Sequence, residues 1–205
     1  MISSAIIEDI KSARGPASAW VAYYYFDFKD GSKRDVRGLL ASLIFQLLGD
    51  DPRCLKILEE LYTTCGNGSE QPSGSDFAKC LKRILELRGQ VPHFIIIDAL
   101  DECPSTTGTP SARQKVLDFV KGLVGSSHSN LRMCIASRPE QDIQAVLNTL
   151  TSEIHTVSLH EEVGQNEDIN RFIHSFVQKD QEMQKWTEVD QALVINTLSE
   201  RAHGM

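Results

Sequence analysis

The run His93-Phe94-Ile95-Ile96-Ile97, held between Pro92 and Asp98, limits the fold more than any other stretch of the chain. A strand with one face in water alternates apolar and polar residues. This run does not alternate, so both of its faces must be covered, which suits a central parallel strand. Ala19 to Phe28, AWVAYYYFDF, has the same continuous β-branched and aromatic character. Leu131 to Ala136 and Ile154 to Leu159 read as two more short strands. Amphipathic helices fall between them. The expected spans are Met1 to Ala13, Val36 to Leu48, Arg53 to Tyr62, Asp76 to Leu87, Ala112 to Val124 and Glu140 to Leu150. Ile169, Phe172, Ile173, Phe176 and Val177 mark another helix, and a last one starts near Glu188. Strands alternating with helices predict an α/β fold of three α/β/α layers around a mainly parallel sheet, followed by C-terminal helices.

Charge and cysteine usage remove several classes of function. Lys and Arg total 21 against 28 Asp and Glu, a net charge of −7. That balance disfavours tracking along a nucleic-acid backbone. No apolar run approaches the roughly 20 residues of a membrane span, and no signal peptide opens the chain. The 5 cysteines are odd in number and include no C-x-x-C pair, so neither a disulfide scaffold nor a zinc ribbon is indicated. Free thiols imply a reducing compartment, and a cytoplasmic location is expected.

In a parallel sheet, ligands bind beyond the carboxyl ends of the strands. Two strand ends carry polar residues suited to that. In HFIIIDALDE, Asp98 sits at a strand tip, where one carboxylate can hold a Mg²⁺ ion that takes its remaining ligands from phosphates and water. Asp101 and Glu102 follow on the next turn of chain and could orient or activate a water. In CIASRPE, Ser137 and Arg138 stand just past another strand, where a guanidinium could touch a terminal phosphate. The plainer alternative is an arginine paired with Asp98 or Glu102 with no ligand. Asp27, at the end of the aromatic strand, is a further candidate for the same crevice. His93 reads as an edge or loop residue, Cys134 as a core thiol, and Cys103 as a thiol that could be exposed but has no activating basic neighbour. Neither a G-x-S-x-G elbow nor an H-E-x-x-H pair is present.

The segments IIIDALDEC, CIASRPE and Asp168-Ile169-Asn170, with ISSAIIEDI and AWVAYYYFDFKDGSKRDVRGLLASLIFQLL, resemble the NACHT module of the STAND class of P-loop NTPases. Fungal NACHT proteins and the related nephrocystin-3-like N-terminal domain look most similar. The resemblance implies an NTPase core over residues 1–160 and the start of a helical domain over 161–205. It implies Asp98 as the Walker B magnesium ligand, Asp101 and Glu102 as an acidic pair linked to water activation, and Arg138, beside Ser137, at the sensor position. Mg²⁺ with ATP or ADP, or GTP, is the implied cofactor set, and protein partners or self-assembly are implied for a switch. The pattern departs at one place: no G-x-x-x-x-G-K-S/T phosphate loop occurs. By resemblance the chain starts just after that loop and lacks the strand before it. That strand is expected between HFIII and LRMCIA, leaving either an empty lane or direct pairing of those two, and a marginal domain. The expected function is a fragment of a nucleotide-dependent signalling switch, not competent for hydrolysis alone. The alternative is a pseudo-NTPase assembly module that binds no nucleotide.

Overall fold

The computed structural model describes residues 2–14, 19–49, 51–87, 91–106, 108–126, 130–150, 157 and 163–201. Two compact units divide the chain, Met1–Ser152 and Glu153–Met205. In the first, α1 (Ile2–Arg14) leads to β1 (Trp20–Tyr25), α2 (Val36–Leu48), α3 (Pro52–Thr64) and α4 (Gly74–Leu87). Then follow β2 (His93–Asp98), a 3₁₀ turn (Leu100–Glu102), α5 (Ala112–Gly125), β3 (Leu131–Ile135) and α6 (Gln141–Leu147). The result is an α/β fold, mainly helical, around a three-stranded parallel sheet. The strand expected over 154–159 lies outside the described residues, apart from Val157.

Local chemistry sets the helix starts. The Asp35 carboxylate accepts the Gly38 N–H at 2.8 Å and caps α2. Asp51 caps α3 ahead of Pro52, whose missing N–H and fixed φ suit the first helical position. The Ser111 hydroxyl accepts the Gln114 N–H and opens α5. At the far end of α2, Gly49 takes φ 50°, a turn that a side chain would resist. Leu39, Leu40, Leu43, Ile44 and Leu47 are buried along α2, while Phe45 points into solvent.

The sheet order is β1-β2-β3, with β2 in the middle. Trp20 lies beside His93 and Tyr25 beside Asp98; His93 lies beside Leu131 and Ile97 beside Ile135. HFIII and LRMCI therefore pair directly. No empty lane separates them, and the penalty expected from unpaired backbone groups in such a lane does not arise. His93 also corrects the sequence reading: it is buried at the start of the central strand. Its N–H donates to the Asn130 carbonyl at 2.9 Å, so the pairing with β3 starts there.

One face of the sheet carries Ala22, Tyr24, Ile95 and Ile97 and packs into a single core with Leu39, Leu43, Leu81, Leu117 and Ile143. These come from α2, α4, α5 and α6. The opposite face carries Tyr23, Tyr25, Phe94 and Ile96, and α1 packs on β1 and β2 there. Among the described residues of α1, Ser3 and Ile7 are buried, and the Lys11 ammonium sits 5.5 Å from the centre of the Tyr23 ring. At the middle of the outer edge of β1 a side chain takes the place of a strand. The Gln46 amide accepts the Tyr23 N–H at 3.1 Å and donates to the Tyr23 carbonyl at 2.8 Å.

In the second unit, α7 (Val163–Lys179) and α8 (Glu188–Arg201) pack on each other. Ile173 and Val177 are buried, whereas Phe172 and Phe176 stack on one another with ring centres 6.2 Å apart and remain exposed. Among the described residues, no helix is long and apolar enough to cross a membrane.

Candidate functional site

All three parallel strands end at the same edge of the sheet, and β2 ends on Asp98. There the chain reverses sharply. Ala99 adopts φ 54° and ψ 43°, a left-handed conformation that is unfavourable by about 1–2 kcal/mol for a residue with a Cβ. Two contacts hold it. The Asp98 Oδ1 accepts the Ala99 N–H at 2.9 Å. The next side chain, Leu100, is fully buried, and its N–H donates to the Ala136 carbonyl at 3.2 Å. The following 3₁₀ turn then aims its two carboxylates in different directions.

Asp101 reaches β3's exit. Its Oδ1 accepts the Arg138 N–H at 3.1 Å, with the Ser137 hydroxyl at 3.5 Å. Its Oδ2 lies 3.5 Å from the Arg138 Nε. The single Ser137 hydroxyl proton goes to the Arg138 carbonyl, the closer acceptor at 2.8 Å. Glu102 reaches β1's exit, where its Oε2 accepts the Phe28 N–H at 3.1 Å. The Arg138 side chain is 83% exposed and that of Asp101 13%. An ion pair with one partner in water is worth at most about 1 kcal/mol, so the guanidinium is held loosely enough to turn toward an incoming anion.

Asp98, Asp101, Glu102, Ser137 and Arg138 are thus brought to one edge. Their pairing differs from the sequence expectation, since Arg138 meets Asp101 and neither Asp98 nor Glu102. Among the described residues Asp98 has no cationic partner, and no cluster of three His, Cys, Asp or Glu side chains surrounds a metal position. Asp27 turns back on its own loop, accepting the Lys29 N–H at 2.8 Å. Cys103 is fully buried, contrary to the exposure that its loop position suggested. Its thiol donates to the Arg34 carbonyl at 3.3 Å. Burial pushes that thiol up to about 12, and Arg113 pulls it back only in part. Cys134, half-buried on β3, is raised by burial and by the Asp98 charge. Neither thiol is activated.

Sequence reasoning missed Arg113. Its guanidinium donates from Nε to the Cys103 carbonyl at 2.9 Å and from Nη2 to the Asp101 carbonyl at 2.6 Å. Nη1 meets the Asp142 carboxylate at 3.1 Å. One signal was available: Arg113 shares a helix face with Val116, Leu117 and Val120, all of them buried. A cation on an apolar stripe calls for a buried partner.

The family model described as Nephrocystin 3, N-terminal matches residues 1–138, which include both loops of the site up to Arg138. The chain belongs to that family. No curated protein and no solved structure matches it.

Proposed function

We propose that this member of the nephrocystin 3 N-terminal family carries the acidic and arginine-bearing half of a nucleotide-responsive site, as in the NACHT modules of STAND-class P-loop NTPases that it resembles. The observation that carries the reading is the contact between the turn after Asp98 and the loop of Arg138 at one edge of a parallel sheet. Asp98 fits a Mg²⁺ ligand: it stands at the tip of the central strand, keeps one oxygen on the Ala99 N–H, and has no cationic partner among the described residues. Mg²⁺ would supply charge neutralisation for the phosphates of ATP, ADP or GTP. Arg138 would exchange its weak pairing with Asp101 for a terminal phosphate. Asp101 and Glu102, released from Arg138 and Phe28, would orient a water. The reading places the chain in the cytoplasm, acting through protein partners or copies of itself, in a P-loop-like three-layer core. No G-x-x-x-x-G-K-S/T run occurs in the 205 residues, so turnover by these residues alone is not part of the proposal.

A second reading, an assembly module that binds no nucleotide, is favoured by one observation: both carboxylates of the acidic pair already have protein partners. A graft decides between the two. A strand and a G-x-x-x-x-G-K-S/T loop placed ahead of Ile2 should give Mg²⁺-ATP binding by calorimetry, whereas the unaltered chain should show no thermal shift with millimolar nucleotide. Asp98→Asn should then weaken binding about tenfold or more, and Glu102→Gln should slow turnover and spare binding. A folded graft that stays inert, or one indifferent to Asp98→Asn, removes the first reading in favour of the second.

A further inference from the structure

Besides the buried Leu100 and the contacts with Arg138 and Phe28, the acidic turn has one more anchor, a buried cation. Arg113 is 7% exposed, and the helix that bears it begins close behind the turn. Two of its donors take carbonyls that lie two residues apart, Asp101 and Cys103. The guanidinium reaches these acceptors from separate nitrogens of one rigid plane, whereas an ammonium holds its three donors on a single, more compact nitrogen that does not span the same set. The third donor nitrogen takes both oxygens of Asp142, at 3.1 and 3.3 Å. Asp142 lies in the first turn of α6, the helix that starts just beyond Arg138. A buried guanidinium demands such compensation, because an unpaired charge there would be strongly destabilising.

We propose that Arg113 is a positioning residue that fixes the Asp101–Glu102 turn through its backbone carbonyls and, through Asp142, ties that turn to the helix following Arg138. The acidic loop and the arginine loop then move as one piece. A displacement of Arg138 by a ligand would reach α6 and the turn together. The assignment of Asp101, Glu102 and Arg138 to a nucleotide site rests on the function proposed above; the positioning itself does not require it.

The test uses the unmodified chain and reads the thiol of Cys103, which lies in the positioned segment, against Cys54 and Cys80, which are buried in α3 and α4. Alkylation by iodoacetamide is followed peptide by peptide, with amide exchange at Leu100 and Glu102 as a second readout. Arg113→Met should speed Cys103 alkylation and both exchange rates about tenfold or more, with Cys54 and Cys80 unchanged. Asp142→Asn, at a half-exposed position where the amide can still accept from Arg113, should do the same to a smaller degree and serves if Arg113→Met does not fold. Arg113→Lys should fall short of native protection. The proposal is overturned if all three thiols accelerate together, since that marks a general loss of stability. It is overturned equally if Cys103 stays protected in both charge-removing variants, or if lysine restores the native rate. None of these readouts involves nucleotide, so a failed Mg²⁺-ATP titration bears on the function alone, and a failed alkylation experiment on the positioning alone.

Discussion

The two faces of the sheet are covered very differently. Residues of α2, α4, α5 and α6 join Ala22, Tyr24, Ile95 and Ile97 in one core, whereas α1 covers the other face through Ser3 and Ile7. Ile96 is nonetheless almost fully buried on that thinner side, while its neighbours across the strands, Tyr23 and Cys134, are only half-buried. A continuous apolar strand therefore reports that both faces are covered, not that the cover is equally deep. Among the described residues, α1 is the helix that packs on the thinner face, and its exposed side mixes Glu8, Asp9 and Lys11 with alanine and serine.

The contrast is broken most completely by alkali. Burial, with Asp35 adding to it, pushes the Tyr24 phenol up from 10.0 to about 12, and burial pushes the Cys103 thiol from 9.0 to about 12. Both groups sit in the thick core, and the folded state favours their neutral forms. That contribution is fully present below pH 9 and is lost as the pH climbs toward 12. Urea midpoints should hold level to about pH 9 and then fall, with unfolding preceding the ionisation of Tyr24. Tyrosinate absorbance that reaches its full value in the folded chain well below pH 12 would contradict this core.

Substitution should sharpen the same contrast. Leu117→Ala, in the thick core, should lower unfolding free energy by about 2–5 kcal/mol in urea melts, and Ile7→Ala should fall at or below the low end of that range. Equal losses would mean that the two faces contribute alike. The smallest expected effect belongs to Lys11→Met, which removes the ammonium from the Tyr23 ring while keeping most of the stem. It should cost about 0.5–1 kcal/mol, with unfolding still a single transition.

Some of this was legible in the sequence. The strand tip at Asp98 follows from the apolar run before it, and the helix over 36–48 from leucines at helical spacing. That Asp101 and Arg138 belong to one edge follows from each standing just past a strand of the same parallel sheet. Other features depend on contacts that no local pattern encodes. Glu102 finds the Phe28 N–H 74 residues away, a meeting decided by the β1–β2 register. The choice of Asp101 over Asp98 as partner of Arg138 depends on the left-handed turn at Ala99, where alanine gives no warning. His93 looked polar enough for an edge, yet its place at the head of β2 was settled by strands on both sides. Direct pairing of β2 with β3 is likewise a matter of topology, which strand composition does not specify.

Gln46 gives the sheet a finish at β1. Its primary amide offers one donor and one acceptor to the same residue, as a neighbouring strand would, so a single side chain stands in for a strand. An incoming chain would have to displace an amide that already satisfies both groups and win nothing in hydrogen bonds by doing so. At Tyr23, the middle of that edge, the substitute is rooted in α2, a helix whose other duty is to the core.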